Sequence, residues 1–187
     1  MLYTNGYIVK DLVANEEFLV NNPMYRGLQN YHNWPLIDEK DKISNDLTNL
    51  IENHFSNNNN VEILNNTNLL SVYVNHCKEV GIEIIVQKIR TSNNSIIADK
   101  DLTDVEVLGY DCIAGDSISY LAEIFMNGAD KIELYKKTIN NVNSNGLFNT
   151  YKEAVDFIFE RNKLIEKGVN LEDYWEAIPA KISLVHI

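Results

Sequence analysis

Six carboxylates, Asp99, Asp101, Asp104, Glu106, Asp111 and Asp116, crowd one short stretch of this chain. If Asp104 to Cys112 is a strand, Asp104, Glu106 and Asp111 project to one side of it, away from Val105, Val107 and Tyr110. Clustered carboxylates can ligate a divalent cation, form the acidic half of a protein interface, or simply solvate a sheet face. The Asp-x-Asp-x-Asp-Gly frame with a distal glutamate that a calcium loop needs is absent. A second grouping, Glu172-Asp173-Tyr174-Trp175-Glu176, brackets two aromatics with acids. Such aromatics anchor interfaces, and the flanking charge steers approach; the same tryptophan could also close one end of the core. The expected partner-binding residues are therefore Asp104, Glu106, Asp111, Asp116, Tyr174, Trp175 and Glu176.

Other chemistry is sparsely written. The four histidines, His32, His54, His76 and His186, show neither His-x-x-x-His nor Cys-x-x-Cys spacing with the cysteines, so no metal is expected. His76 and Cys77 are adjacent on a helix and diverge by about 100°. Cys77 and Cys112 are too few for a disulfide framework and read as reduced, buried thiols. No glycine-rich phosphate loop and no cofactor motif occurs. Gly115-Asp116-Ser117-Ile118 follows an expected strand and opens an expected helix. It resembles the Gly-Asp-Ser block of SGNH-type hydrolases, which implies Ser117 as an ester-attacking nucleophile. A serine needs a histidine base and an oxyanion hole for that step. The downstream Gly-x-Asn-Asp block and the closing Asp-x-x-His are missing, with Ser183 where the aspartate before His186 would stand. An ordinary helix cap explains the same residues. No catalytic residue is assigned, and the small serine hydrolase remains the alternative.

The chain of 187 residues carries 27 acidic and 16 basic side chains, a net charge of −11. The excess leans to residues 94–187. Such a surface repels nucleic-acid phosphates and anionic membranes and favours a basic partner. No basic stripe with interleaved aromatics is present, so nucleic acid is not an expected ligand. The longest apolar runs are a few residues, and Met1 to Gly6 does not read as a secretory segment; a cytoplasmic location is expected.

These side chains need elements to hold them. Tyr3 to Val13 reads as a strand. The turn-rich stretch from Asn21 to Pro35 holds Tyr25, Tyr31, His32 and Trp34 and is expected to pack onto the body. The apolar spacing of Ile43, Leu47, Leu50, Ile51 and Phe55 predicts a helix capped by Asp38, ended by the run Asn57–Asn60. Val61 to Leu64 reads as a short strand. Asn66 or Thr67 caps a second helix with Leu69, Leu70, Tyr73, Val74, Cys77 and Val80 inward, and Gly81 stops it. Ile82 to Arg90 is apolar on both faces, which predicts a central strand. In Asp104 to Cys112 the inward phase slips beside Gly109, the mark of a β-bulge. Asp116 or Ser117 opens a short helix, Lys131 to Ile139 reads as helical, and Asn143 to Gly146 as a turn. Thr150 and Glu153 form a capping box for a helix to Lys167, and Lys181 to Val185 is a last strand. Nothing reads as an interdomain linker. The whole predicts a single α+β domain over 1–187, an antiparallel or mixed sheet with helices packed mainly on one face.

The C-terminal half, from Leu108-Gly109-Tyr110-Asp111 through Asn145-Gly146-Leu147-Phe148 and a helix with Ala154 to a last strand, resembles small acidic bacterial proteins of the toxin-immunity kind. That resemblance covers about the last eighty residues. It implies a non-enzymatic antitoxin that plugs a basic site on a cognate toxin, and it assigns no catalytic residue or cofactor.

Overall fold

A computed structural model describes residues 5–11, 44–57, 63–91, 102–113, 119–124, 132–169, 171 and 177–186. The elements run β1 (Asn5–Asp11), α1 (Asn45–Asn57), α2 (Thr67–Glu79), β2 (Ile84–Thr91), β3 (Asp104–Ile113), α3 (Tyr120–Glu123), α4 (Glu133–Asn141), α5 (Tyr151–Glu166) and β4 (Ile178–Val185). The strands form one antiparallel sheet in the order β1-β2-β4-β3. This is the expected α+β class, and β2 has the inner position that its two apolar faces predict. The last strand is inserted between β2 and β3, so residues far apart in sequence become neighbours on the sheet.

Alternation along the strands separates two cores. Tyr7 and Val9 of β1, Val86 of β2 and Val185 of β4 pack with Leu47 and Ile51 of α1 and Leu70, Tyr73, Val74 and Cys77 of α2. Ile8, Ile89, Ala180 and Ile182 point the other way, into a cluster with Tyr120 and Leu121 of α3 and Ala154 and Phe157 of α5. Leu134, Tyr135 and Ile139 of α4 pack against this second cluster. The helical cover is thus shared between the faces, α1 and α2 on one and α3 to α5 on the other, where the sequence reading has it mainly on one.

Local chemistry explains the element ends. The described helix α1 begins at Asn45, with the Ser44 hydroxyl accepting from the Leu47 N–H at 3.3 Å; the expected Asp38 cap lies outside the described residues. Asn66 caps α2 by accepting from Leu69 N at 2.9 Å, and Gly81, at a φ of 78°, turns the chain away after it. Thr150 and Glu153 form the expected reciprocal capping box at the start of α5.

Each outer strand is bridged locally by a segment outside the sheet. Tyr7 of β1 exchanges backbone hydrogen bonds with Leu64 at 2.8 and 2.9 Å, and Tyr110 of β3 does the same with Phe148, both at 2.9 Å. A glycine sits at each close approach. A Cβ on Gly6 would lie 2.5 Å from the Leu64 carbonyl oxygen. One on Gly109, at a φ of 146°, would lie 2.7 Å from both the Leu147 Cβ and the Phe148 oxygen. Each such bridge pairs backbone groups that would otherwise be open to pairing with another chain.

Candidate interaction site

β3 carries the acidic residues on a strand that changes phase twice. Against β4, Asp104 faces Val185, Glu106 faces Leu184, Val107 faces Ser183 and Gly109 faces Ile182. Register shifts therefore fall at Val105 and at Leu108, each the extra residue of a bulge. The second is the slip expected beside Gly109. The first breaks the simple alternation from Asp104 to Glu106, and the expected common face of Asp104, Glu106 and Asp111 is corrected accordingly.

Asp104 meets two lysines instead of open solvent. Lys88, whose side chain is only 5% exposed, pairs with one carboxylate oxygen at 2.8 Å and also donates to the Leu102 carbonyl. Lys181 pairs with the other oxygen, to which the Ser183 hydroxyl donates at 3.2 Å. The Leu102 N–H in turn donates to the Tyr7 hydroxyl at 2.9 Å. Burial alone would raise the Asp104 pKa, but the hydrogen bonds and charges of Lys181 and Lys88 outweigh it and bring it down to about 2. The carboxylate binds together β2, β3 and β4 and neutralises the charge of the buried Lys88 ammonium.

Asp111 is fully buried, with one carboxylate oxygen accepting from the Cys112 N–H at 2.7 Å. Its burial fits an internal role and removes it from direct contact with a partner. Nearby, Arg161 of α5 is 1% exposed and its guanidinium lies 4.3 Å from the centre of the Tyr120 ring. The Cys112 thiol donates to the Ala154 carbonyl at 3.4 Å. Its pKa is pushed well up, by burial first and by the Asp111 charge second, against the opposing Arg161 charge. A thiol held protonated in this way is a poor nucleophile and metal ligand. Cys77 and Cys112 are both buried and free, as their sequence positions predict.

Glu106 remains exposed, and its neighbours Val105 and Val107 are 53% and 48% exposed. Three consecutive side chains of one strand, from the first bulge residue to the one before the second, thus face solvent, where plain alternation would bury at least one of them. Sequence reasoning placed both valines opposite the carboxylates and missed this triplet; the first bulge leaves no glycine to signal it. The sequence does hint at the lysine pairing, because Lys88 stands in an otherwise apolar strand and a buried ammonium needs an anion.

Asp116, Ser117, Tyr174, Trp175 and Glu176 lie outside the described residues, so the structure does not place them beside the β3 group. Among the described residues, no three His, Cys, Asp or Glu side chains gather as a metal site, and no helix is long and apolar enough to cross a membrane. No protein-family model, curated protein or solved structure matches the chain.

Proposed function

We propose that this chain is a non-enzymatic, acidic binding protein that occludes a basic site on a protein partner, in the manner of a bacterial immunity protein against its toxin. The observation that carries the reading is the exposed triplet Val105-Glu106-Val107 on a paired strand of a molecule with net charge −11. An acid flanked by two aliphatic side chains offers charge for steering and apolar area for contact. The global charge reinforces it: Glu52, Glu79, Glu83, Glu133 and Glu166 are exposed, while Lys88 and Lys181 are engaged with Asp104. Asp104 serves this function indirectly, by fixing the strand on which Glu106 stands.

The test is affinity capture from the source cell with the native chain and with Glu106→Lys/Val107→Lys, followed by rate measurements on the captured protein. A basic partner that is held by the native chain, is lost with the variant, and associates more slowly as salt rises supports the reading. Its recovery at equal yield by both chains, or the absence of any basic partner, removes the support.

A further inference from the structure

Helix α5 buries one side and turns an apolar ridge outward on the other. Ala154, Phe157 and Arg161 point into the body. Tyr151, Val155 and Phe159, four residues apart, are 43%, 38% and 58% exposed. Residues at that spacing stand one above another and form a single ridge on a helix. The exposed Leu50 and Val72 stand singly on α1 and α2, and scattered apolar residues of that kind are ordinary. The two rings of the ridge are already held. Tyr151 lies edge-on to Tyr110, with centroids 6.1 Å apart, and the Lys163 ammonium sits 4.0 Å from the centre of the Phe159 ring. Side chains positioned in advance lose less freedom when they are covered.

The charges beside the ridge indicate its occupant. At 100° per residue, Lys152, Asp156, Glu160 and Lys163 fall along one flank of the ridge. Lys152 pairs with Asp156, and Lys163 with Glu160 at 2.8 Å. The flank is therefore neutral in a chain of net charge −11, and a strongly basic partner finds no excess of acid there. Its order suits a reversed copy of itself. Two ridges of every fourth residue interlock with the helices crossing at about 50°. With a two-fold axis at Val155, that residue meets its own copy, and Tyr151 lies toward Phe159 of the other copy. The two flanks then share one side and run in opposite directions. Lys152 comes within about 3 Å, along the helix axis, of Asp156 of the other copy, and the two-fold makes the same pair again.

The geometry points to a homodimer in which the Tyr151–Val155–Phe159 ridge of α5 packs antiparallel on the same ridge of a second copy, with reciprocal Lys152–Asp156 pairs beside it. One helix of 16 residues offers a strip about 24 Å long. That is little for stable interfaces, which bury about 1,200 Å² and more. The dissociation constant is therefore expected between about 1 µM and 1 mM. The dimer does not rest on the basic-partner reading, which uses β3, and either can fail without the other.

Sedimentation equilibrium of the full chain from about 10 µM to 1 mM, at about 0.15 M salt, tests it. The native chain should show a reversible monomer–dimer equilibrium. Phe159→Glu should weaken it at least tenfold with the thermal midpoint retained, because that side chain is exposed. Lys152→Asp and Asp156→Lys should each weaken it at least threefold, although one makes the net charge more negative and the other less. Mixed in equal amounts, these two single variants should form a heterodimer tighter than either forms alone, since one then carries acid at both positions and the other lysine at both. The mixture also shows that both variants are folded. A native chain that stays monomeric at 1 mM, a dimer indifferent to Phe159→Glu, or no gain on mixing the two charge variants would each overturn the assignment.

Discussion

At the scale of single residues, the structure separates carboxylates that look alike in the sequence. Asp104 is ionised between two lysines, Asp111 is buried, and Glu106 faces solvent. Replacing Asp104 by asparagine should remove the counter-ion of the Lys88 ammonium and cost about 3 kcal/mol, the lower end for broken buried pairs, because the Leu102 carbonyl still accepts from it. Urea denaturation measures this, and adding Lys88→Met should recover part of the loss, since the two changes share one interaction. The pH dependence has a fixed sign. The Asp104 pKa falls from an ordinary 3.8 to about 2 on folding, so its contribution is complete well above 3.8 and is lost as the pH drops through about 2. The urea midpoint of Asp104→Asn should therefore change less than that of the native chain over this window. An unchanged acid profile would show that the lysine pairing contributes nothing to folding. Glu106→Lys, in contrast, should leave stability within about half a kcal/mol, because an exposed position makes no such pairing.

At the scale of elements, glycine and capping decide what the sheet can do. Gly109→Ala should destabilise by about 2–4 kcal/mol, because a Cβ there meets Leu147 and the Phe148 carbonyl at a φ that side chains rarely adopt. Loss of the Phe148 bridge would also bare the edge of β3, so faster aggregation of this variant at matched stability is the accompanying readout. Thr150→Ala should cost only about 1 kcal/mol, the ordinary value of a helix cap. A cost for Gly109→Ala no larger than that for Thr150→Ala would contradict the close approach. These elements were largely legible in advance. The capping box, the helix ending before Gly81, the inner position of β2 and the bulge near Gly109 are local patterns, each set by residues within a few positions. What stayed hidden depends on distant pairing: Lys181 meets Asp104 across 77 positions, because β4 enters the sheet beside β3. No local period announces that insertion, nor the bulge at Val105, and so the carboxylates were read as one face when they have three different surroundings.

At the scale of the whole molecule, the two cores share their strands. The residue pairs Tyr7 and Ile8, Val86 and Ile89, and Val185 and Ile182 each send one side chain into each core. Neither core can lose its order without taking from β1, β2 and β4 the packing that holds one face of each. Two cores on a common sheet should therefore unfold together, in one transition with equal calorimetric and van't Hoff enthalpies. The sharper test uses one truncation on each side. Leu70→Ala, on the α2 side, should cost about 2–5 kcal/mol, and Phe157→Ala, on the α5 side, about 3–5 kcal/mol. Both sites are buried, with exposures of 0% and 4%. If the sheet couples the cores, each change lowers the same single transition, and tryptophan fluorescence and far-ultraviolet dichroism continue to coincide. If Leu70→Ala instead splits the melt, leaving the α5 side ordered at the native midpoint, the cores are separate folding units, and the shared strands transmit nothing between them.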